Sequence, residues 1–516
     1  MSFSAALPGA PNDHGRLCGA SAPGCALAPP PEIESMHVSP PLCAISEPKM
    51  SSPPHAEAPG DILNLARQEA GLSRQLSARQ MTMIAIGGAI GTGLFLGSGL
   101  AVREAGPAVI LTYALGAVIA LLLVGVLAEM AVAHPAAGSF GVYAELYLSR
   151  WAGFAVRYTY WAAQSIAIGG EATAVGIYCG WWWPQVPQWI WIVGFSAALL
   201  FVNARSVGAF GEFEYWFALI KVVAILMFIA FGASLLLGIH GGVPGSRSHF
   251  TADGGFLPFG FAGVWRALCF VIFSFIGSEI IAVTAGEAKD PATAVPRAMR
   301  SMLGRLTLFY VGAITVLVGV VPWNRIGAEG GGISASPFVT VFHLMGIPAA
   351  THAMNFVVVT AALSSMNTNL YLATRMIFSL ARGGYAPEAL GRVNARGAPV
   401  SALLLTAAGL AVATVVNLVS PDRAYVLLFG VALFGGLFVW LMIFVSHLWF
   451  RPAWERSGGA RLPVRMIGYP YTSLFGAALL VAILVTTWWV PGMRPTLGAG
   501  LPWLGVVSVG YWLWAR

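Results

Sequence analysis

From Met81 to the carboxyl end, the chain alternates long apolar stretches with short polar connections. A stretch of ~20 apolar residues, rising 1.5 Å per residue as a helix, crosses the hydrocarbon of a bilayer. Twelve such spans are predicted, at about 81–100, 107–133, 152–180, 187–204, 213–239, 263–285, 302–322, 338–366, 400–419, 424–446, 470–490 and 500–515. The eighth is expected to continue past the membrane, because Thr374 to Gly384 (TRMIFSLARGG) keeps helical spacing. Pro399 and Pro421 mark helix starts, where a missing N–H removes no internal bond.

Two spans are interrupted from within. The first carries GGAIGTGLF (Gly87 to Phe95) in a run, Met81 to Leu100, with six glycines and no charge. Each glycine weakens a helix by about 1 kcal/mol relative to alanine. An unwound turn in hydrocarbon also leaves backbone groups unpaired, which is tolerated where they line a cavity. The sixth span echoes this with FSFIGSEII (Phe273 to Ile281), placing Gly277, Ser278 and Glu279 mid-membrane. The two interrupted helices correspond if spans 1–5 (81–239) and 6–10 (263–446) are repeats. With an odd number of spans in each, the second repeat is inverted relative to the first. A substrate site at the bilayer centre is expected between the paired breaks.

Composition narrows the class. Hydrophobic residues make up 57% and charged residues 9% of the 516, with mean hydropathy +0.75, which excludes an aqueous protein. The net charge of +7 is dispersed among apolar runs, so no nucleic-acid partner is expected. Residues 1–70 lack hydrophobic periodicity and are expected to form a disordered cytoplasmic tail ahead of a transmembrane domain at 71–516. With the tail inside, inner segments from Arg67 onward hold nineteen Lys and Arg. Outer loops hold five: Arg103, Arg247, Arg325, Arg423 and Arg494. The positive-inside rule then places both termini in the cytoplasm. Cys18, Cys25, Cys43, Cys179 and Cys269 show no metal-ligand spacing, so neither metal nor cofactor is expected.

The stretch RQLSARQMTMIAIGGAIGTGLFLGSG (Arg74 to Gly99) closely resembles the start of the first helix in bacterial amino-acid permeases of the amino acid–polyamine–organocation superfamily. FSFIGSEIIAVTAGEAKDPATAVPRAM (Phe273 to Met299) is similar to that family's sixth helix and following loop. AEMAVAHPAAGSF (Ala128 to Phe140), VVPWN (Val320 to Asn324) and SSMNTNLYLATRMIFSLARGG (Ser364 to Gly384) also match. The resemblance runs from about Leu72 to the carboxyl terminus. It implies an all-α integral membrane fold of twelve helices. Five plus five form an inverted repeat with helices 1 and 6 discontinuous, and two extra helices lie at about 470–515.

The expected substrate is an amino acid, with one carboxylate and one ammonium. Amides at the start of the outer half-helix near Thr92, with the Thr92 hydroxyl, suit the carboxylate. Gly91 and Gly93 let it approach the backbone with no Cβ in the way. Carbonyls of Ala89, Phe273, Ser274 and Ile276 suit the ammonium. Ala89, Ile90, Gly91, Thr92, Gly93, Phe273, Ser274, Ile276 and Gly277 match the family's substrate-contacting positions. Phe273 falls where relatives carry an aromatic lid. The lining around Gln164, Phe273 and Asn367 leans toward neutral substrates.

Lys221 is the lysine found within the spans, in the fifth; a buried ammonium is costly there, though its stem could also snorkel to the interface. The resemblance puts it where sodium-driven cousins bind a cation, against the helix-one break, Ser364 and Ser365. Its expected role is proton coupling. Glu279 is read either as a proton relay or as a cap on the inner half-helix. Glu171 is expected to face the substrate pocket with Gln164 nearby, and is a further coupling candidate. Glu129 is expected to order the loop at Ala133 to Phe140, and Glu212 and Glu214 to be solvated. Glu287 or Asp290 could pair with Arg375 to lock an inner gate.

Enzyme motifs are missing, and a channel would need a continuous polar lining that spans four, seven, nine, eleven and twelve lack. The expected function is import of an amino acid across the cytoplasmic membrane by proton symport. The alternatives are an amino-acid or polyamine antiporter and a transporter-like sensor.

Overall fold

The computed structural model describes residues 77–515 except 137, 205–206, 240–247, 286–289, 327–335, 396, 459–461 and 463. These residues belong to one compact unit, 54–516. The amino-terminal tail, its three cysteines and Glu287 lie outside them. Among the described residues every regular element is helical.

The first interrupted span comprises α1 (Ala78–Ala89), the single turn α2 (Thr92–Phe95) and α3 (Gly97–Ala105). After it come α4 (Val109–Ala133), α5 (Ser139–Tyr147), α6 (Arg150–Gly180), α7 (Gln188–Asn203) and α8 (Val207–Leu236). The second interrupted span comprises α9 (Gly260–Val271), a 3₁₀ turn at Ile272–Phe275 and α10 (Ile280–Thr284). It leads into α11 (Pro291–Val320), α12 (Pro337–Leu344) and α13 (Pro348–Arg382). The chain closes with α14 (Val400–Thr406), α15 (Ala408–Val419), α16 (Pro421–Arg456), α17 (Tyr471–Thr486) and α18 (Arg494–Ala515).

Local chemistry fixes several of these starts. Ser77 and Gln80 form a reciprocal capping box on α1, satisfying two amides that the first turn leaves open. Ser149 caps α6, and Pro399 and Pro421 stand at the starts of α14 and α16 as expected.

Three predicted boundaries need correction. The expected eighth span, 338–366, is two helices: Gly346 at φ +68° turns the chain and Pro348 opens α13. At 35 residues α13 is ~50 Å long, well beyond a ~30 Å hydrocarbon core. The fifth begins at Val207 rather than 213, which moves Glu214 from the edge of the span to about two turns into the helix. The ninth is divided at Ala407.

Seven helical stretches among the described residues are long and apolar enough to cross a membrane, and three shorter apolar helices accompany them. The most buried of the seven include α13, whose apolar window is 89% enclosed, against 17% for α18. The outer helices accordingly show large apolar side chains on their surfaces, such as Met227, Phe201 and Leu513. At the centre, α6 packs on α13, α15 and α16. Small residues set these contacts: a Cβ at Gly409 would fall 2.1 Å from the Ser165 carbonyl oxygen. One at Gly435 would fall 2.3 Å from Ala163 Cβ.

Glu129 does not order the loop after α4 in the way expected. Arg451 of α16 grips its carboxylate with Nε at 2.9 Å and Nη2 at 2.7 Å. The Met466 amide donates at 2.8 Å, and His447 Nε2 stands 3.2 Å away. Glu129, His447 and Arg451 are all buried, so the cluster ties α4 to α16 and to the segment before α17. Removing one member strands the others without water. Glu129→Ala is therefore expected to destabilise the fold by about 3–5 kcal/mol, seen as a large drop in thermal unfolding temperature in detergent.

Candidate functional site

The site is built where the two interrupted helices meet. Helix α1 ends at Ala89; Ile90 leaves helical geometry and Gly91 is extended (φ −127°, ψ −158°). Leu94 and Phe95 N–H groups return to the Gly91 carbonyl, so the amides of Thr92 and Gly93 stand at a helix N-terminus, where no internal partner exists. Leu96 stays in the helical region, carrying α2 on into α3. In the second break Ile276 is extended and Gly277 takes φ +106°, a conformation that side chains disfavour.

The breaks touch. A Cβ on Gly277 would lie 2.6 Å from the Gly88 carbonyl oxygen, and one on Gly93 would lie 2.8 Å from Ser274 Cα. Glycine is therefore required by close backbone approach as well as by torsion. Tyr310 of α11 fastens the junction, its hydroxyl within hydrogen-bond reach of both the Ala89 and the Ser274 carbonyl oxygens. Sequence reasoning missed Tyr310. A phenol in an otherwise apolar span, which needs a polar partner when buried, was the available signal.

A narrow, partly open cavity of about 20 Å³ lies against the breaks. Ala89, Gly91, Gly93, Phe273, Ser274 and Ile276 line it, with Gly88. The α6 side chains Gln164, Ala167 and Glu171 and the α13 side chains Ser365 and Asn369 complete the lining. Ile90, Thr92 and Gly277 fall outside this lining. Thr92 is instead engaged by Tyr425, whose hydroxyl reaches the Thr92 carbonyl at 3.2 Å and its Oγ1 at 3.4 Å. Phe273 is partly exposed to the cavity and packs on Phe429 of α16, ring centroids 4.1 Å apart. Asn367 was expected in the pocket but is not among its lining residues. It bonds Glu214 and Asn203 instead, and Asn369, two residues on, takes the place at the wall.

The charged candidates separate into three settings. Lys221 is fully buried and does not snorkel. Its ammonium donates to Ser364 Oγ at 2.8 Å, to the Ile90 carbonyl at 2.9 Å and to the Gly87 carbonyl. Its partners thus come from both sides of Gly88–Ala89, where α1 ends. Glu171 faces the cavity and accepts from Ser365 Oγ at 2.8 Å. Glu279 follows the second break and takes three donors: Tyr160 Oη at 2.6 Å, the Gly277 amide at 2.9 Å and Trp440 Nε1 at 3.1 Å. Those bonds brace Gly277 against α6 and α16, and the Glu279 side chain makes no capping bond to the amides of α10.

Glu214 was expected to be solvated, and that expectation fails. It is fully buried, accepting from Ser364 Oγ and from Asn367 Nδ2 at 3.2 Å. Its separation of seven residues from Lys221 sets both on one helix face, a spacing visible in the sequence. Glu212 does face outward, accepting from Trp216. Of the expected gate pairs, Asp290 accepts from Thr293 at 2.5 Å and the Arg375 guanidinium stacks 4.1 Å above Tyr371.

Similarity to known proteins covers nearly the whole described chain. The profile of the amino acid permease family matches residues 80–516. The aromatic amino acid transport protein AroP of Escherichia coli (strain K12) is 40% identical over 443 residues, covering 85% of this chain and 95% of its own. An uncharacterized amino acid permease of Bacillus subtilis (strain 168), YtnA, is 37% identical over 450 residues, covering 87% and 96%. Among solved structures, a manganese transporter from Eremococcus coleocola superposes with a TM-score of 0.53 at 11% identity, over 89% of this chain and 95% of that one. That likeness concerns the fold alone.

Proposed function

We propose that this chain, which belongs to the amino acid permease family, imports a neutral amino acid across the bacterial inner membrane by proton symport. Membership makes it a multi-pass membrane transporter of amino acids and not an enzyme. The finer reading rests on one observation above all: two interrupted helices abut at Gly88 and Gly277 and leave a cavity beside their bared backbone.

In this reading the substrate carboxylate takes the amides at the start of α2, with Gly91, Thr92 and Gly93 supplying them. The ammonium takes carbonyl oxygens of Ala89, Phe273, Ser274 and Ile276. Ile90 and Gly277 hold the two unwound turns in shape. Carbonyls have two lone pairs, so those of Ala89 and Ser274 serve both Tyr310 and a ligand. Phe273 closes over the substrate. The partly exposed Phe273 ring beside Phe429, and the aromatic substrates named for the AroP relatives, support an aromatic side chain as cargo.

Lys221 couples the proton. Its charged form holds the Gly87 and Ile90 carbonyls, and charge-assisted bonds are about twice as strong as neutral ones. Losing the proton loosens that hold and frees helix one to move. Ser364 and Ser365 carry the neighbouring bonds, Glu171 links the pocket to the same face of α13, and Glu279 braces the second break. The frame for alternating access is twelve spans in two inverted repeats of five plus two, with both termini cytoplasmic.

Purified protein in liposomes tests the reading. An inward proton gradient, with no amino acid inside, is expected to drive accumulation of labelled L-phenylalanine that other aromatic amino acids compete away. Accumulation that appears only with amino acid preloaded inside would establish exchange in place of symport. Binding without any movement of label would establish a sensor.

A further inference from the structure

The carboxylate of Glu214 has no part in the coupling scheme above, yet it is as deeply enclosed as the lysine that scheme turns on. Ser364 Oγ stands between the two groups, accepting from Lys221 Nζ at 2.8 Å and donating to Glu214 Oε1. Asn367 Nδ2 fixes the other carboxylate oxygen at 3.2 Å, and Asn203 Nδ2 donates to Asn367 Oδ1 at 2.6 Å. Asn203 ends α7 and is only partly buried. A file of polar groups thereby runs from the helix-one break toward the surface. It descends along α8 toward the end where that helix starts.

The charges around this file are few. Lys221 faces Glu214 from two turns further along α8 and Glu171 faces Lys221 from α6. Asn367 and Thr368 approach Glu214 from α13, and Gly87 from α1. The carboxylate sits so close to α1 that a Cβ on Gly87 would fall 2.5 Å from Oε1.

We infer that Glu214 receives the proton that Lys221 gives up, with the Ser364 hydroxyl carrying it; the inference rests on the proton-symport reading. One Nζ–H bond breaks as an Oγ–H bond forms on Ser364, and the hydroxyl's original Oγ–H bond breaks as an Oε1–H bond forms on Glu214. The ammonium becomes an amine that keeps the lone pair, the carboxylate becomes an acid, and serine is regenerated. The charge summed over the three groups stays at zero throughout, so no uncompensated ion is left in the interior, where a lone charge is most costly. The asparagine amides position the carboxylate and do not exchange the proton themselves. Glu214 releases it toward the side from which α8 starts as a new proton reaches Lys221, so the pair again sums to zero and the ammonium regains Gly87 and Ile90.

The test uses the full chain in liposomes with an entrapped pH dye and labelled L-phenylalanine. Glu214→Gln is expected to lose pH-driven accumulation and substrate-linked lumen acidification by about 10²-fold, the lower range for removing a positioned proton acceptor. Exchange of internal for external phenylalanine should persist, and Glu214→Asp should restore part of the accumulation. In infrared difference spectra, substrate addition should raise a carboxylic-acid carbonyl band in the wild type that Glu214→Gln lacks. Full accumulation by Glu214→Gln beside an active wild type would overturn this inference and leave symport standing. So would loss of exchange in both folded variants, which would mark a structural role. A wild type that ignores the proton gradient would overturn symport itself.

Discussion

Lys221→Ala is expected to abolish concentrative uptake. Alanine removes the ammonium from a fully buried place and leaves the Gly87 and Ile90 carbonyls and Ser364 Oγ without their donor. It also leaves Glu214 as a buried charge with no cation beside it. Removing one partner of such a pair costs about 3–5 kcal/mol of stability, read as a lowered unfolding temperature, and with no titratable amine left proton-driven accumulation is expected to fall to background. Lys221→Arg separates charge from titration, because a guanidinium holds the carbonyls but does not give up its proton. That variant is expected to bind and exchange L-phenylalanine while failing to accumulate it. Proton-driven accumulation by Lys221→Ala at the wild-type level would remove the lysine from the mechanism.

Gly277→Ala is expected to be equally severe for a different reason. The residue sits at φ +106°, where an alanine is strained by ~1–3 kcal/mol. The added Cβ would also meet backbone, the Gly88 oxygen at 2.6 Å and its carbonyl carbon at 3.0 Å, which cannot swing aside as a side chain can. The two breaks must then separate, and the cavity they border changes shape. Binding and uptake of phenylalanine should fall to background, with a lowered unfolding temperature. Gly304→Ala supplies the contrast: its Cβ meets nothing within 4 Å in the helix α11. It should transport normally and gain up to ~1 kcal/mol in stability. Normal binding by Gly277→Ala would show that the cavity does not depend on the contact between the breaks.

The interrupted helices were legible because glycine in an apolar run has a local physical meaning. So were Phe273, Ser274 and Ile276, which follow once the second break is located. The division between α12 and α13 was legible too, in Gly346 and Pro348, but hydropathy alone ran across it. Partners contributed by distant segments were harder. Glu129 and Arg451 are 322 positions apart, and nothing along either helix names the other. Glu214 was misread because the helix was begun six residues late, which put a buried acid at the interface; seven-residue spacing to Lys221 would have corrected it. Asn367 and Asn369 differ by ~200° around a helix, so a pocket assigned without register took the wrong one.

Where α6 lies against α15 and α16, glycine meets backbone and methyl groups with no slack: Gly409 against Ser165, Gly169 against Ala413, Gly435 against Ala163. Surfaces interlocked at that spacing cannot slide past one another without colliding. On the proposed alternating-access reading, the cavity is expected to open and close by the two severed helices turning against a stationary block, much as a door leaf turns in a frame that does not bend. Distances measured between probes on α6 and α15 should hold constant through the cycle, and those from α6 to α1 should change.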